Sequence, residues 1–348
     1  NNSWMASPYL PAAQAFFAAI YRLSPGAPFA FQVSAVLFDL LTGWLIVHIL
    51  RRLKLAPERA LIYLWNPLVV VEFAHGAHVD ALMMCLMMAA LWALVARGPW
   101  RRPSPVLASL LSVLALGAAT LTKGIPALLL PVVAWRWGWL RSLLVIGLIV
   151  GTLMPFALDA GWGLTGPRDG EGVFGALRIY TARWNYNGGL YHWWEVALSG
   201  YRTPGAVPEA IAGKAPIQAA KLTMAALLGL LLAVAAWNSR RLDDDLAWLR
   251  LAALPLGAYL LLTTTVHPWY VTLIVPLLPF FSPVENERTR SGRLLWPWLY
   301  FSSAVALSYF TYLDPANLRE HDWVRLSEYV PLCLLLVWAA WPSSDGAG

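Results

Sequence analysis

Charge is scarce in this sequence. Only 13% of its 348 residues are Asp, Glu, Lys or Arg, about half the share of a soluble domain. That deficit excludes a disordered chain, a nucleic-acid module and an ordinary cytosolic enzyme. The net charge of +6 does not restore a nucleic-acid face, because the basic residues stand in short clusters between apolar runs. Cysteine is nearly absent. Cys85 and Cys333 both lie inside apolar runs, where a thiol behaves as a small hydrophobe, and there is no CxxC pair or disulfide framework. The ten-residue alternating segments of a membrane β-barrel are missing. So are an internal repeat, a low-complexity tract and a Gly-rich phosphate loop. The sequence opens Asn1-Asn2-Ser3 with no initiator Met and no signal-peptide pattern within it, so a processed or missing start is expected.

What is present is hydrophobicity: 59% of residues are apolar, and the mean hydropathy is +0.58. The apolar runs are roughly 15–22 residues long, the length a helix needs to cross about 30 Å of hydrocarbon. The expected fold is all-α, a polytopic transmembrane helical bundle with one long extracytoplasmic loop. About eleven spans are expected, over 30–50, 60–75, 79–96, 104–121, 125–137, 142–158, 216–237, 246–265, 269–283, 294–313 and 324–342. Several carry Pro (Pro67, Pro126, Pro131, Pro155, Pro276, Pro279). Proline removes a backbone donor, so such helices break, and broken helices often line cavities.

Orientation follows from the short loops. One set carries Arg51, Arg52, Lys54 and Arg59; Arg97, Arg101 and Arg102; Arg136 and Arg141; Arg240 and Arg241; and Arg288, Arg290 and Arg293. The alternate short loops carry only Lys123 and Arg319. The positive-inside rule places the first set in the cytoplasm. The expected organisation is an extracytoplasmic or interfacial segment at 1–29, a first bundle of about six spans at 30–158 and a loop at 159–215. A second bundle of about five spans at 216–342 and a cytoplasmic tail at 343–348 complete it. Residue 1 then lies outside, so a first span is expected to be missing upstream. Within 1–29, Pro8–Leu23 reads as an interfacial helix with Phe16, Phe17 and Ile20 on its apolar face. The localisation expected is a multi-pass plasma-membrane protein whose working face is extracytoplasmic.

The polar residues that remain draw the eye. Trp135, Trp137, Trp139, Trp296, Trp298, Trp338 and Trp341 stand at span ends, where an aromatic belt accounts for them. The loop aromatics Trp162, Tyr180, Trp184, Tyr186, Tyr191, Trp193, Trp194 and Tyr201 suit a wet site in which sugar rings stack on aromatic faces. Glu72, His75, His78 and Asp80 form the densest ionisable cluster. Spacing puts Glu72 and His75 about one turn apart on one helix face, Gly76 breaks the helix, and Asp80 opens the next span. A helix-end hydrogen-bond network would explain the cluster too. Lys123 breaks the positive-inside pattern; it suits a lipid phosphate, or it snorkels. His267-Pro268-Trp269-Tyr270 is a tight turn able to bind phosphate or hydroxyls, or to anchor an interface. Arg183-Trp184-Asn185-Tyr186-Asn187-Gly188-Gly189 combines a cation, amides and a Gly pair. Asp39, in mid-span, reads as a structural bond to a neighbouring helix. The Glu-x-x-His spacing at Glu72–His75 occurs in di-iron bundles, which need a second copy, so no metal is expected.

Together these segments resemble a known pattern. Pro8-Tyr9-Leu10-Pro11-Ala12-Ala13-Gln14, Trp65-Asn66-Pro67-Leu68 with Glu72, His78-Val79-Asp80-Ala81-Leu82, Leu121-Thr122-Lys123 with Pro126 and Leu128–Pro131, the Arg183–Gly189 run and His267–Tyr270 look like the bacterial GT-C glycosyltransferases of family 87 and the polyprenyl-phosphate mannosyltransferases. The resemblance implies transfer of a hexose, mannose favoured, from a polyprenyl-phosphate sugar to an extracytoplasmic glycan or glycolipid. The family's catalytic Asp lies in the first outer loop, so the main base is expected upstream of residue 1. Asp80, Glu72 and His75 are then supporting catalytic candidates. Lys123, Arg183, Trp184, Asn185, Asn187, His78, His267, Tyr270, Tyr9 and Gln14 are donor- or acceptor-binding candidates. The implied partners are the lipid-linked sugar, the acceptor and membrane lipid, with no nucleic acid. No cofactor is required, although a divalent cation is compatible. The rival class is a multi-span transporter or lipid flippase, which also uses intramembrane charge and broken helices. A non-catalytic scaffold would leave the polar cluster unexplained.

Overall fold

A computed structural model describes residues 7–95, 105–159, 175–176, 179, 184–200, 215–283, 290–313 and 319–341. The described residues are helical, apart from turns and isolated bridges that join Tyr186 and Asn187 to Thr265. Five helices among them are long and apolar enough to cross a membrane. The chain is an all-α polytopic membrane protein. It divides into two units, one of Asn1–Ala60 with Val69–Trp184, the other of Leu61–Leu68 with Asn185–Gly348.

The first unit opens with α1 (Pro11–Leu23), which has Pro in its first turn, where the missing N–H is no loss. The rings of Phe16 and Phe17 meet Phe31, and Phe16 also meets Phe38, on α2 (Pro28–Arg52). The helix α3 (Asp80–Leu94) is apolar all round, and Met83, Met84, Met87, Met88 and Leu91 are fully buried, as an all-apolar helix in a bundle interior should be. It packs between α2 and α4 (Pro105–Thr122). Ser112 of α4 donates to the Ala90 carbonyl at 2.8 Å. At the far end of α2, Arg52 donates to the Trp92 carbonyl at 2.8 Å and lies 4.3 Å over that indole. The unit continues through α5 (Leu130–Trp137) and α6 (Trp139–Asp159).

The second unit holds α7 (Gly189–Gly200), α8 (Ala215–Ser239), α9 (Asp245–Leu262), α10 (Pro268–Val271), α11 (Leu295–Ala304) and α12 (Asp322–Ala340). Asp244 caps α9 by accepting from Ala247 N at 2.6 Å, satisfying a donor the helix cannot. Tyr191, Ala220, Met224 and Leu262 tie α7, α8 and α9 together. Asn66 is buried; it donates to Ser302 at 3.0 Å and accepts from Leu68 N at 3.1 Å.

The stretches expected as spans over 60–75, 125–137 and 269–283 are broken into short turns rather than continuous helices. A 3-10 turn at Pro57–Ala60 leads into one-turn helices at Leu61–Leu64 and Pro67–Val70 and a wide π turn at Val71–His75. Ile125–Leu129 and Val275–Phe281 are 3-10 segments carrying Pro126, Pro276 and Pro279. Proline accounts for these breaks, as it denies the ladder a donor and crowds the preceding turn, but the break expected at Pro155 does not occur: that residue sits inside the continuous α6. The aromatic belt also needs correcting at two positions. Trp135, Trp139, Trp296, Trp338 and Trp341 are exposed, but Trp137 and Trp298 are buried core residues.

Candidate active site

Ionisable side chains of the first unit gather where the chain turns from Val71–His75 into α3. The turn is wide because Gly76 N bonds back to the Val71 carbonyl at 2.9 Å, five residues earlier. Such π turns recur at functional sites. Ala77, not Gly76, then takes the left-handed conformation at φ 52°, and His78 N bonds the Glu72 carbonyl at 3.2 Å. The chain thereby doubles back over Glu72. The helical run ends at Gly76 as expected, and the glycine serves a second need as well. A Cβ there would stand 2.7 Å from the Glu72 carbonyl oxygen and 2.8 Å from the His78 ring, so only glycine lets the ring approach.

Two pairs result. His78 Nε2 lies 3.2 Å from Glu72 Oε2, and Lys123 Nζ donates to Asp80 Oδ1 at 2.8 Å. In each pair the carboxylate is the hidden partner. The Glu72 and Asp80 side chains are 2% and 3% exposed, against 27% for His78 and 17% for Lys123. Asp80 sits in the first turn of α3, where the helix dipole favours an anion. Its charge also reaches Tyr9. Tyr9 as a whole is 42% exposed, but desolvation around its hydroxyl first, and then Asp80, hold that hydroxyl above the usual tyrosine range.

The remaining candidates of this unit behave differently. Glu72 and His75 do not share a face, because the π turn rotates them apart: Glu72 is buried and His75 exposed. The backbone carbonyl of His75 accepts from Gln32 Nε2 at 3.0 Å. Gln14 donates to the Tyr9 carbonyl at 3.4 Å and is exposed. Trp184 is exposed as well. Arg183 lies outside the described residues.

In the second unit the Tyr186-Asn187 pair and the His267 turn come together. Tyr186 N donates to the Thr264 carbonyl at 3.2 Å, and Val266 N donates to the Tyr186 carbonyl at 2.7 Å. The rings stack in a column. Tyr312 lies 5.7 Å from Tyr186, Tyr186 lies 4.5 Å from His267, and His267 lies 4.3 Å from Trp269 at an interplanar angle of 5°. The Tyr186 hydroxyl donates to the Ser308 carbonyl at 2.8 Å; burial above all raises it beyond the ordinary tyrosine range. Tyr270 is buried with its ring edge-on to His267. Asn185 is exposed, whereas Asn187 is only 3% exposed.

Residues that the sequence did not single out hold Asn187. Its side-chain amide donates to Glu328 Oε2 at 2.6 Å, its backbone N donates to Glu320 Oε2 at 3.0 Å, and its carbonyl accepts from the Tyr329 hydroxyl at 2.7 Å. Arg325 pairs with Glu320 and lies 3.3 Å from Asp322. The signal for Glu328 was available, since a carboxylate in the middle of an apolar span is itself unusual.

Among the described residues, no group of three or more His, Cys, Asp or Glu could hold a metal ion. Comparison with known proteins adds one finding. Residues 2–139 match the MptA_B family model, alpha-(1->6)-mannopyranosyltransferase, N-terminal domain. The matched stretch contains Tyr9, Glu72, His78, Asp80 and Lys123. The resemblance to mannosyltransferases expected from the motifs is therefore seen independently over that stretch, and it supports a membrane mannosyltransferase. No curated protein and no solved structure matches the chain.

Proposed function

We propose that the protein transfers a mannosyl group from a polyprenyl-phosphate donor to a glycan or glycolipid hydroxyl, at the extracytoplasmic face of the plasma membrane. One observation carries this reading. The stretch that matches a mannopyranosyltransferase N-terminal domain is the stretch in which two buried carboxylates each brace a more exposed nitrogen.

The chemistry follows from the charges. The acceptor oxygen attacks the anomeric carbon, the bond from that carbon to the donor phosphate oxygen breaks, and the phosphate leaves as an anion. The acceptor's proton passes to a carboxylate base, a contribution of about 10²–10⁴ in rate. A pre-set cation stabilises the leaving phosphate as charge develops. Lys123 is the proposed cation, held by Asp80 so that its ammonium need not reorganise; His78, held by Glu72, is the proposed contact to a second phosphate oxygen. Their burial makes Asp80 and Glu72 better suited to hold these nitrogens than to receive a proton from a bulky acceptor. His75, Tyr9 and Gln14 are proposed at the rim of the same site. In the second unit the Tyr186–His267–Trp269 column, with Asn185 and Tyr270, is proposed to contact sugar, since pyranose C–H faces stack on aromatic rings. Trp184 and Arg183 are proposed for donor contact. The donor is already activated, so the reaction is proposed to need no cofactor.

The test supplies membranes containing the full-length protein with radiolabelled polyprenyl-phosphate mannose, polyprenyl-phosphate glucose and a nucleotide-linked mannose, with and without a divalent-cation chelator. Labelled glycan or glycolipid from the first donor alone, unaffected by chelator, is expected. Transfer from the nucleotide sugar alone, or from none, would overturn the proposal.

A further inference from the structure

Asn187 was expected to bind sugar, yet its polar groups are engaged elsewhere. It is 3% exposed, its amide nitrogen, backbone nitrogen and carbonyl are all bonded, and its backbone sits at φ 52°. That left-handed conformation is one that asparagine tolerates better than most residues. Glu328 is fully buried in α12 and accepts from Asn187 at 2.6 Å. The neighbours leave no slack. A Cβ on Gly188 would stand 2.7 Å and 2.9 Å from the Thr264 and Thr263 carbonyl oxygens, and one on Gly189 would overlap the Tyr329 ring. Tyr186, next in the chain, carries His267 on its ring and bonds both Thr264 and Val266 through its backbone.

We infer that Asn187 and Glu328 are positioning residues, a buried amide–carboxylate lock that fixes Tyr186 against the Thr264–His267 turn and so sets the ring column for sugar. The lock acts through Tyr186 and does not touch substrate. Its place in catalysis rests on the mannosyl-transfer reading above; its place in the structure does not.

The bond has a direction, which makes it testable by exchange of partners. Asn187→Asp sets a side-chain carboxylate against Glu328, where the amide nitrogen donated. Asn187→Asp with Glu328→Gln puts a donor amide at position 328 and an acceptor at 187, rebuilding the bond in reverse. Glu328→Gln alone keeps an oxygen that accepts from Asn187. Hydrogen–deuterium exchange of the full-length protein reads the lock directly at residues 184–190 and 262–268, and transfer kinetics read its consequence. Asn187→Asp is expected to speed exchange in both segments at least about tenfold and to raise the KM for donor or acceptor about fivefold, with kcat changed less than about threefold. Glu328→Gln and the double variant are expected to return to within about twofold of the parent. Unchanged exchange at 262–268 in Asn187→Asp, or a double variant as impaired as the single, overturns the lock. If Asn187→Asp does not fold, recovery of folded protein in the double variant supports the lock, and its failure overturns it. If the parent transfers no mannose, the catalytic reading fails while the exchange arm still decides the lock.

Discussion

The two polar clusters handle buried polarity in opposite ways. The first unit pairs ionisable groups, with Glu72 and Asp80 hidden behind His78 and Lys123. The second stacks rings and anchors them through an asparagine whose partner is a carboxylate, Tyr186 over His267 over Trp269 with Asn187 on Glu328. An ion pair with one accessible member can answer a charge that develops in a reaction. A ring column answers shape, because its attraction changes little as charge moves. On the proposed function, leaving-group stabilisation falls to the first cluster and sugar placement to the second.

The contrast breaks most visibly at Lys123. Lys123→Ala leaves Asp80 buried without its ammonium, which costs about 3–5 kcal/mol when a buried pair is cut on one side. Asp80→Ala with Lys123→Ala is expected to recover most of that stability in a detergent melt. Neither variant should regain transfer, which falls at least about tenfold in each. Recovery of transfer in the double variant would remove Lys123 from the chemistry. Next come the glycines of the second unit. Gly188→Ala and Gly189→Ala each force a Cβ into occupied space, at about 1–3 kcal/mol of overpacking. Chemical unfolding reads that loss, and Gly26→Ala is not an adequate control, because φ is positive there too; Gly147, with open space around a Cβ, is. Tyr186→Phe removes the hydroxyl's bond to Ser308 together with its interactions with Tyr312 and Thr311, and should cost about 1 kcal/mol or somewhat more while leaving the stack on His267.

The smallest effect concerns pH. Burial first, and then the Arg325 charge, lower the His192 pKa below its ordinary 6.5, against weaker opposing pulls from Asp322, Glu320 and Glu195. The unfolded chain therefore binds the His192 proton at higher pH than the folded one. Stability from this group is present above about pH 6.5 and is lost as pH falls below it. His192→Asn should flatten that part of the stability profile, measured by unfolding between about pH 7 and 5.

Much of the fold was legible because apolar length and proline act locally. The run at 28–52 is one continuous helix, and breaks fall beside Pro67, Pro126 and Pro276, whereas Pro155, Pro255 and Pro331 sit inside continuous helices. The pairing of charges was less legible. Regular helical spacing joins Glu72 to His75, but the π turn and the left-handed Ala77 deliver His78 instead. No periodicity rule anticipates an extra residue in a turn. Lys123 and Asp80 lie 43 positions apart, a contact fixed by the packing of α3 on α4 rather than by any local pattern. Glu328 escaped notice because it stands in a run otherwise apolar enough to read as an ordinary span, while Asn187 shows its purpose only once its neighbours at 264, 320 and 328 are in place.

The central claim, charge work in one cluster and shape work in the other, is tested most directly by kcat and KM for transfer from polyprenyl-phosphate mannose by Lys123→Ala and Tyr186→Ala in parallel. The account predicts that Lys123→Ala loses at least about tenfold in kcat, while Tyr186→Ala loses chiefly through KM, by about fivefold or more. The reverse pattern, or the same parameter falling in both, would contradict it.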